Sequence, residues 1–261
     1  MSELIDKRKV ADSFSKAAST YDSVAELQRG IGHSLMTKIP PSVGHRILEL
    51  GCGTGFFTAE LAKQFSNSRL LGLDIASGML AFARATRSLR DVAWICGDAE
   101  ALPLADRSCD LIFSSLALQW CENIDLLFAE IERVLEREGT ACIATLGPRT
   151  LQELRGAWSA VDEYQHVNRF IAKERLLAAI PSTLRVESIE VEDRVLEYQQ
   201  LKELTAELKS LGAHNMNAGR PKGLTGAARI KAFKAAYEKY RTADGYLPAT
   251  YEVYYLVLRK A

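Results

Sequence analysis

The chain has 261 residues, of which 48% are hydrophobic and 25% are charged. This length and apolar content suffice for one large domain with a substantial core. Its 33 basic and 33 acidic side chains cancel, so no overall field attracts nucleic acid or a membrane surface, and we expect neither as a partner. The N-terminal segment is rich in charge and no apolar run approaches the roughly 18 residues of a membrane span, which predicts a cytoplasmic protein.

Cysteine and histidine usage predicts neither a disulfide framework nor a metal site. The five cysteines include no C-x-x-C pair, and the four histidines are scattered without the spacing of metal ligands. Several cysteines lie on or beside predicted buried strands, which favours reduced thiols. We therefore expect no metal ion among the cofactors.

Apolar residues at helical spacing predict helices within residues 7–40, ended by Pro40 and Pro41. After them, short apolar segments alternate with helical ones. Strands are expected near residues 46–50, 70–74, 92–96, 109–114 and 139–146, and helices over 55–65, 77–88 and 123–137. Gly139 is expected to close the third of these helices and open the fifth strand. The alternation predicts a parallel sheet with helices on both faces.

The alternation stops after Gly147 and Pro148. Residues 149–182 are expected to form helices and loops that cover the mouth of the sheet, and we interpret them as a lid. A strand is expected over 184–198, helices over 200–212 and 225–241, and a last strand over 250–258. The two late strands would add an antiparallel hairpin at the end of the sheet.

A glycine-rich turn follows the first predicted strand. Gly51, Gly53 and Gly55 alternate behind Glu49, where the apolar strand gives way to a helix. Glycine suits such a turn because the backbone adopts angles that a Cβ forbids, and because a ligand can approach bare peptide groups. The N–H groups at the start of the helix would face that ligand. The spacing G-x-G-x-G differs from the dinucleotide fingerprint G-x-G-x-x-G, which disfavours an NAD-dependent dehydrogenase.

Acidic residues follow the next two strands. Asp74 ends the second predicted strand, about 19 residues after Gly55, and Asp98 follows the third. Each has a structural alternative, because Asp74 could cap the helix that begins near Met79 and Asp98 could form a turn. Cys52, inside the glycine turn, has no candidate base nearby in sequence, so we interpret it as a small packing residue rather than a nucleophile.

In this order the motifs resemble those of class I methyltransferases, which use S-adenosylmethionine. The resemblance implies an α/β, Rossmann-like fold with a mostly parallel seven-stranded sheet and helices on both faces. It also implies that Asp74 holds both ribose hydroxyls, and that the Asp98 side chain and the backbone N–H of Ala99 bind adenine. The cofactor-binding residues expected from it are Glu49, Gly51, Gly53, Gly55, Asp74, Ile75, Asp98, Ala99 and Ser115.

Further motifs resemble the malonyl-[acyl-carrier protein] O-methyltransferases of biotin synthesis nearly end to end. Residues 10–28 match the opening pattern of that family, and Ser114–Trp120 stands at its fourth-strand motif. Gln165–Phe170 matches its H-x-N-R-F segment, and residues 208–226 carry a late run that most other methyltransferases lack. The first two features also occur in quinone-ring and trans-aconitate methyltransferases, so the last two carry the assignment.

The resemblance implies that the free carboxylate of a malonyl thioester receives the methyl group of S-adenosylmethionine. We expect Arg169, in the lid, to orient that carboxylate, because a guanidinium can hold it in a fixed plane. Tyr21 is a second catalytic candidate, able to close over the methionine end of the cofactor. Arg169 could instead anchor the lid through a salt bridge, and Tyr21 could be a core residue. Gln119 and Trp120 are expected in the wall of the substrate pocket, although Trp120 could equally belong to the core.

A basic segment near the C-terminus could dock the carrier protein, which is typically acidic. Between Gln200 and Arg241, nine basic and three acidic residues leave a net charge of +6. We expect Arg220 and Lys222 to flank the phosphopantetheine arm of malonyl-acyl carrier protein, or of malonyl-CoA in its place. The alternative is a solvated helix face.

We expect residues 1–261 to form a single methyltransferase domain. Its parts would be N-terminal capping helices over 1–42, a cofactor-binding core over 43–147, the lid over 148–182, and C-terminal strands and helices over 183–261. Two rival functions stay open. One is a methyltransferase of another small acid or of a quinone precursor, and the other is a non-catalytic module that binds S-adenosylmethionine.

Overall fold

A computed structural model describes residues 6–41, 44–89, 91–213 and 226–261. Within these ranges the strands are β1 (Arg46–Leu50), β2 (Arg69–Asp74), β3 (Val92–Cys96), β4 (Cys109–Ser115), β5 (Leu135–Leu146), β6 (Leu184–Tyr198) and β7 (Leu247–Lys260). They form one sheet in the order β3-β2-β1-β4-β5-β7-β6. β3, β2, β1, β4 and β5 are parallel, whereas β7 pairs antiparallel with both β5 and β6. The predicted seven-stranded, mostly parallel sheet with an antiparallel end is confirmed.

Helices cover both faces of this sheet. They are α1 (Lys7–Val24), α2 (Glu26–Met36), α3 (Phe56–Gln64), α4 (Ser77–Thr86), α5 (Ile124–Val134), α6 (Gln152–Ser159), α7 (Lys173–Ala178), α8 (Leu201–Ser210) and α9 (Ala227–Tyr237). Short 3₁₀ turns add Leu118–Trp120 and Glu238–Tyr240. None of the helices in the described ranges has both the length and the apolar character needed to span a membrane.

The core lies in two layers, one on each face of the sheet. On one face α2 buries Leu27, Ile31 and Leu35 against the sheet, together with alternate residues of β7. On the other face α5 buries Leu127, Phe128, Ile131 and Val134. The spacing of these residues every three or four positions gives each helix one apolar stripe, which is why each packs on a single face. The central strands β1 and β4 are buried on both sides, as parallel strands in such sheets are.

One predicted boundary is wrong. The helix expected over 123–137 ends at Val134, and β5 begins at Leu135 rather than near Gly139. Leu135 is buried and already has extended backbone angles, so its side chain joins the core on the strand side of the boundary. The pairing of β5 with β4 then skips from Leu135 to Thr140, and Glu138 within the gap takes a φ of 60°. Gly139 therefore belongs to an irregular stretch of the strand and does not close a helix.

Helix α1 crosses the sheet at its carboxyl edge. It packs on α4 at Gly78, where an added Cβ would lie 2.6 Å from the Cβ of Ser15. The Gly78 backbone N–H also donates to the Ser15 hydroxyl at 3.1 Å. This close approach, which only a residue without a side chain permits, places α1 above the ends of β1, β2 and β3.

The β5–β6 connection (residues 147–183) carries α6 and α7 and is fastened to β7. Arg149 donates to the Glu252 carboxylate through its backbone N–H at 2.9 Å and through Nε at 3.0 Å. The buried Glu153 accepts the Thr250 backbone N–H at 3.0 Å. These bonds hold the start of the connection beside the carboxyl edge of the sheet.

Candidate functional site

A cavity of about 410 Å³ opens at the carboxyl edge of the parallel strands. It lies where β2 and β4 flank β1 on opposite sides, which is the switch point at which open α/β sheets bind ligands. Its volume falls in the range of small-molecule sites. The cavity brings together most of the predicted site residues, namely Tyr21, Gly51, Gly53, Asp74, Ile75, Asp98, Ala99, Ser115, Gln119 and Trp120.

The glycine turn has the left-handed backbone that the sequence predicted. Gly51, Gly53 and Gly55 have φ angles of 77°, 52° and 72°. A Cβ on Gly51 would overlap the side chain of Ala117, and one on Gly55 would lie 2.6 Å from the Trp94 ring, so both glycines allow close packing. A Cβ on Gly53 would meet no protein atom within 4 Å. Gly53 thus presents bare backbone to the open cavity, which is the geometry of a ligand cradle.

Asp74 links the glycine turn to the start of α4. Its Oδ2 accepts the Gly53 backbone N–H at 2.8 Å, and its Oδ1 accepts the Ala76 N–H at 2.8 Å. Burial raises the pKa of Asp74, while the backbone N–H bonds from Ala76 and Gly53 counteract that rise. The carboxylate is therefore held in a fixed orientation at the cavity wall with lone pairs left for a ligand.

Asp98 is engaged by a residue that the sequence analysis did not single out. Lys7, in the first turn of α1, places its Nζ 2.7 Å from Asp98 Oδ2 and 2.9 Å from Glu100 Oε1. Burial lowers the pKa of Lys7, but the hydrogen bonds to Asp98 and Glu100 outweigh it and raise the pKa overall. Asp98 also accepts the Glu100 backbone N–H at 3.0 Å, which orients the carboxylate within the turn after β3.

Tyr21 and Trp120 lie on either side of Phe14 at the cavity wall. The Phe14 ring packs edge-on against Trp120 with centroids 5.2 Å apart, and against Tyr21 at 6.3 Å. Burial raises the pKa of Tyr21, and the negative charges of Asp74 and Asp22 raise it further. The hydroxyl therefore keeps its proton and can act only as a neutral hydrogen-bond donor or acceptor.

The end of α1 is tied directly to the glycine turn. Thr54 donates its hydroxyl to Asp22 Oδ1 at 2.6 Å, and Arg87 forms an ion pair with the same carboxylate. Arg87 Nε also donates to the Thr54 carbonyl at 3.0 Å. Helix α1 is thus anchored over the cavity at both ends, through Lys7 and through Asp22.

Three predicted residues do not line the cavity. Glu49 is buried behind the turn, where it accepts the Thr58 hydroxyl, and burial raises its pKa to about 8. Gly55 is covered by Trp94, and Arg169 is exposed on the β5–β6 connection. The roles predicted for these three residues stay predictions. Arg220 and Lys222 lie outside the described residues.

The wall beyond the cofactor motifs is mostly apolar and comes from the β5–β6 connection, α8, α9 and β7. Trp158 forms its centre, stacked on His166 at 3.7 Å and on Phe233 at 4.1 Å between centroids. His166 is fixed in turn by Asp162, 2.8 Å from its Nε2, and Arg229 pairs with the same carboxylate. We call this apolar part of the cavity the chamber.

Two leucines of the cavity wall have left-handed backbone, with φ of 56° at Leu116 and 53° at Leu151. Such angles cost an L-residue about 1–2 kcal/mol and are concentrated at functional sites. Leu116 follows β4 and is held by a 2.8 Å bond from its N–H to the Ala144 carbonyl. Gln119 is held near it, because its Nε2 donates to the Leu116 carbonyl at 2.6 Å. Nothing in the residue type marks these positions, so the sequence carries no signal for them.

Within the described ranges, no three His, Cys, Asp or Glu side chains cluster as metal ligands would. All five cysteines are free. Burial raises the pKa of the Cys52 thiol in the glycine turn well above its usual value.

Comparison with known proteins places this site in a family. Residues 48–143 match the family model described as a methyltransferase domain. A malonyl-[acyl-carrier protein] O-methyltransferase of Hahella chejuensis is 41% identical over 250 residues, which cover 95% of this chain and 89% of the relative. The chain belongs to the malonyl-[acyl-carrier protein] O-methyltransferase family. The same-named protein of Methylococcus capsulatus is 41% identical, covering 98% of this chain and 94% of the relative.

The family also includes longer proteins. The biotin biosynthesis bifunctional protein BioHC of Cellvibrio japonicus is 50% identical over 258 residues, which cover 98% of this chain and 51% of the relative. This chain therefore spans about half the length of the bifunctional relatives that it matches.

Solved structures share the fold at low sequence identity. An S-adenosylmethionine-dependent methyltransferase of Mesorhizobium loti matches with a TM-score of 0.56 at 22% identity, covering 89% of this chain and all of that one. A geranyl diphosphate C-methyltransferase of Streptomyces coelicolor matches with a TM-score of 0.54 at 15% identity, covering 89% and 77%. The predicted class I methyltransferase fold is confirmed.

Proposed function

We propose that this protein transfers a methyl group from S-adenosylmethionine to the free carboxylate of a malonyl group carried by acyl carrier protein. The products are the malonyl methyl ester and S-adenosylhomocysteine. One observation carries this proposal: a single cavity joins the glycine turn to the covered apolar chamber, in a chain that aligns almost end to end with malonyl-[acyl-carrier protein] O-methyltransferases. The rival substrates and the non-catalytic module are not favoured by these relatives.

The residues of the cavity fit S-adenosylmethionine. Gly53 leaves open space where the cofactor approaches the backbone, and the oriented Asp74 carboxylate suits a ribose diol. Ser115 has a buried hydroxyl without a partner among the described residues, and it lies on the same wall. When bound, this co-substrate supplies an activated methyl group on a sulfonium sulfur.

The reaction asks little acid–base chemistry of the protein. A carboxylate with an ordinary pKa near 4 is already ionised at neutral pH, so no general base is needed. One carboxylate oxygen forms a bond to the methyl carbon while the bond from carbon to sulfur breaks, and the electron pair stays on sulfur. The protein accelerates the step by aligning oxygen, carbon and sulfur, which is worth up to about 7–11 kcal/mol. The chamber adds to this by excluding water from the nucleophile.

Tyr21 is the catalytic residue that we propose at this junction. It lines the cavity, keeps its proton, and is supported by Phe14 and by the anchored end of α1. Its hydroxyl can donate to the substrate carboxylate without neutralising it. Gln119 and Trp120 form the adjoining wall. Arg169 is exposed, so its proposed role in orienting the carboxylate requires it to turn inward when substrate binds.

We propose that residues 148–182 act as a lid. They supply Trp158, His166 and Phe170 to the chamber, and they are fastened to the rest of the chain by Arg149 at one end and by the pair of Asp162 with Arg229 further on. Opening would have to break the latter contact, because α9 carries Arg229.

The carrier protein would dock on the basic segment. Within its described part, the five lysines are exposed and form no ion pair with a described residue; they are Lys202, Lys209, Lys231, Lys234 and Lys239. Lys209 also lines the cavity, which puts positive charge at the mouth of the chamber. Unpaired charges of this kind speed association with an acidic partner and act less on final affinity. Malonyl-CoA could use the same mouth, with the phosphopantetheine arm entering between α8 and α9. The five free cysteines suit a reducing compartment, and we propose a cytoplasmic location.

Mass spectrometry of malonyl-acyl carrier protein after incubation with S-adenosylmethionine tests the proposal. We expect the carrier protein to gain one methyl group, and the gain to disappear after mild alkaline hydrolysis of the ester. Acetyl-acyl carrier protein, which lacks the free carboxylate, is the matched control and should gain none. Malonyl-CoA in a parallel reaction measures the preference for the carrier. A malonyl carrier protein that stays unmodified, while aconitate or a quinone precursor is methylated, would refute the proposed substrate.

A further inference from the structure

Buried polar atoms without partners mark the wall of the cavity. In the described residues, four of the side chains that bury such an atom line this cavity: Gln28, Ser115, Asn168 and Tyr251. Buried polar groups in native proteins are nearly always hydrogen-bonded, so a concentration of unpaired ones at one cavity indicates that a ligand completes them. Ser115 lies beside the cofactor motifs, whereas Asn168 and Tyr251 belong to the chamber.

Asn168 and Tyr251 reach the chamber from different elements. Asn168 is 7% exposed and sits in the β5–β6 connection beside Val167, whose side chain is part of the same apolar core as Tyr251. Tyr251 is 5% exposed and lies on β7. Because Val253 pairs with Leu146 at the end of β5, Tyr251 is two residues beyond that end, at the carboxyl edge where the cofactor motifs lie.

Apart from Lys209 and His166, the polar side chains that line the chamber carry hydroxyl or amide groups. No arginine lines the described cavity, and its cationic or titratable basic side chains are Lys7, Lys209 and His166. Lys7 is paired with Asp98 and Glu100 at the far end, and His166 is bonded to Asp162. Lys209 is exposed at the mouth. Beyond these basic groups, an acyl group in the chamber meets hydroxyl and amide side chains.

We propose that Asn168 and Tyr251 are specificity-determining residues that bind the oxygen atoms of the malonyl group through neutral hydrogen bonds. This inference rests on the proposed function and names the groups that recognise its substrate. Tyr251 donates its hydroxyl. The unpaired atom of Asn168 is Oδ1, an acceptor, so Asn168 binds a malonyl oxygen by turning its amide so that Nδ2 donates to the ligand. Burial raises the pKa of Tyr251, so its proton is retained for donation. A neutral donor orients a carboxylate without taking up its charge, so the oxygen stays nucleophilic.

Acyl groups that have no oxygen atom at their far end leave the side chains of Asn168 and Tyr251 without hydrogen-bond partners. A site built to hydrogen-bond a substrate oxygen rejects analogues that lack it, because its own buried groups then stay unpaired. The chamber should thus discriminate malonyl from saturated acyl groups of similar length, such as butyryl.

The variants Tyr251→Phe and Asn168→Leu test this inference, because each removes the polar group and keeps most of the volume. We expect KM for malonyl-acyl carrier protein to rise at least tenfold, with the Kd for S-adenosylmethionine within threefold of wild type. Thermal stability should stay equal or increase, since each change removes a buried polar atom that lacks a partner in the free protein. In both variants, the affinity for butyryl-acyl carrier protein as an inhibitor should increase relative to the affinity for malonyl-acyl carrier protein, compared with wild type.

Tyr255→Phe is the matched control. Tyr255 is buried on the same strand and the same face as Tyr251 but does not line the cavity, so its loss of a hydroxyl should leave KM unchanged. A fall in Tm with parallel losses of cofactor and substrate binding in both test variants would show a structural role and overturn the inference. If the wild-type protein is active and both test variants keep its KM, this inference is overturned and the proposed function stands. A wild-type protein that methylates no malonyl thioester would overturn the proposed function and this inference together.

Discussion

Replacing Gly53 with alanine would separate cofactor binding from folding. Gly53 has a φ of 52°, and an added Cβ would meet no protein atom within 4 Å, yet the residue lines the cavity. The methyl group therefore enters the space proposed for S-adenosylmethionine without disturbing the protein around it. Few positions in the chain offer a change so confined to the ligand.

The expected magnitudes follow from this geometry. An L-residue in the left-handed region costs about 1–2 kcal/mol, and in a chain of this size each kcal/mol lowers Tm by about 2–4 °C. We therefore expect Gly53→Ala to lower Tm by about 2–8 °C. One extra methyl group in a tightly packed site costs about 1–3 kcal/mol, so the Kd for S-adenosylmethionine should rise about 5- to 150-fold.

Two neighbouring glycines provide controls in the same turn. Gly51→Ala would drive its Cβ into Ala117, and Gly55→Ala would place one 2.6 Å from the Trp94 ring, so both changes should lower Tm by more than Gly53→Ala does. Isothermal titration calorimetry gives the Kd, and differential scanning fluorimetry without ligand gives Tm. A Gly53→Ala protein with the wild-type Kd would refute the placement of the cofactor in this turn.

Two further predictions concern buried ionisable groups. Tyr21→Phe should lower kcat about 10- to 100-fold, because the change removes one hydrogen bond to a charged group. The Kd for S-adenosylmethionine should stay within threefold of wild type. Unchanged steady-state kinetics would remove Tyr21 from the mechanism. Burial raises the pKa of Glu49 from 4.5 to about 8, so between these values the folded state keeps a proton that the unfolded chain releases, and stability falls as pH rises. Urea unfolding at pH 5 and pH 8 should show a fall in the free energy of unfolding that is smaller in Glu49→Gln by up to about 3.5 kcal/mol, and parallel pH profiles for the two proteins would contradict this assignment.

The sequence predicted the parallel part of the sheet well because its central strands β1 and β4 are buried on both faces and the strands alternate with amphipathic helices. Local composition decides such elements, and the glycine turn adds a backbone requirement that few residues meet. The boundary at Leu135 failed for a tertiary reason. Its side chain lies in the core next to β4, and α5 therefore ends at Val134, five residues before Gly139, the glycine that would otherwise signal the end.

The cofactor end of the site could be predicted for a similar reason. Asp74 and Asp98 follow parallel strands, and the carboxyl ends of parallel strands meet at one edge of a sheet. The positions of the two residues in the sequence therefore predict that their side chains lie at the same edge. Lys7 belongs to the same site but could not be found this way. Its position depends on the packing of α1 on α4 at Gly78, a contact between segments that are distant in the chain.

The H-x-N-R-F motif does not indicate which of its residues faces the chamber. Asn168 and Arg169 are adjacent in the H-x-N-R-F segment, and the sequence favours Arg169 because a guanidinium is the stronger partner for a carboxylate. In the folded chain Asn168 is buried at the cavity and Arg169 is exposed. The segment has no regular secondary structure, so only its packing determines which side chains turn inward. For a reaction in which the carboxylate must attack with its charge intact, a neutral hydrogen-bond donor leaves that charge on the oxygen, and Arg169 can join it only by turning inward when substrate binds.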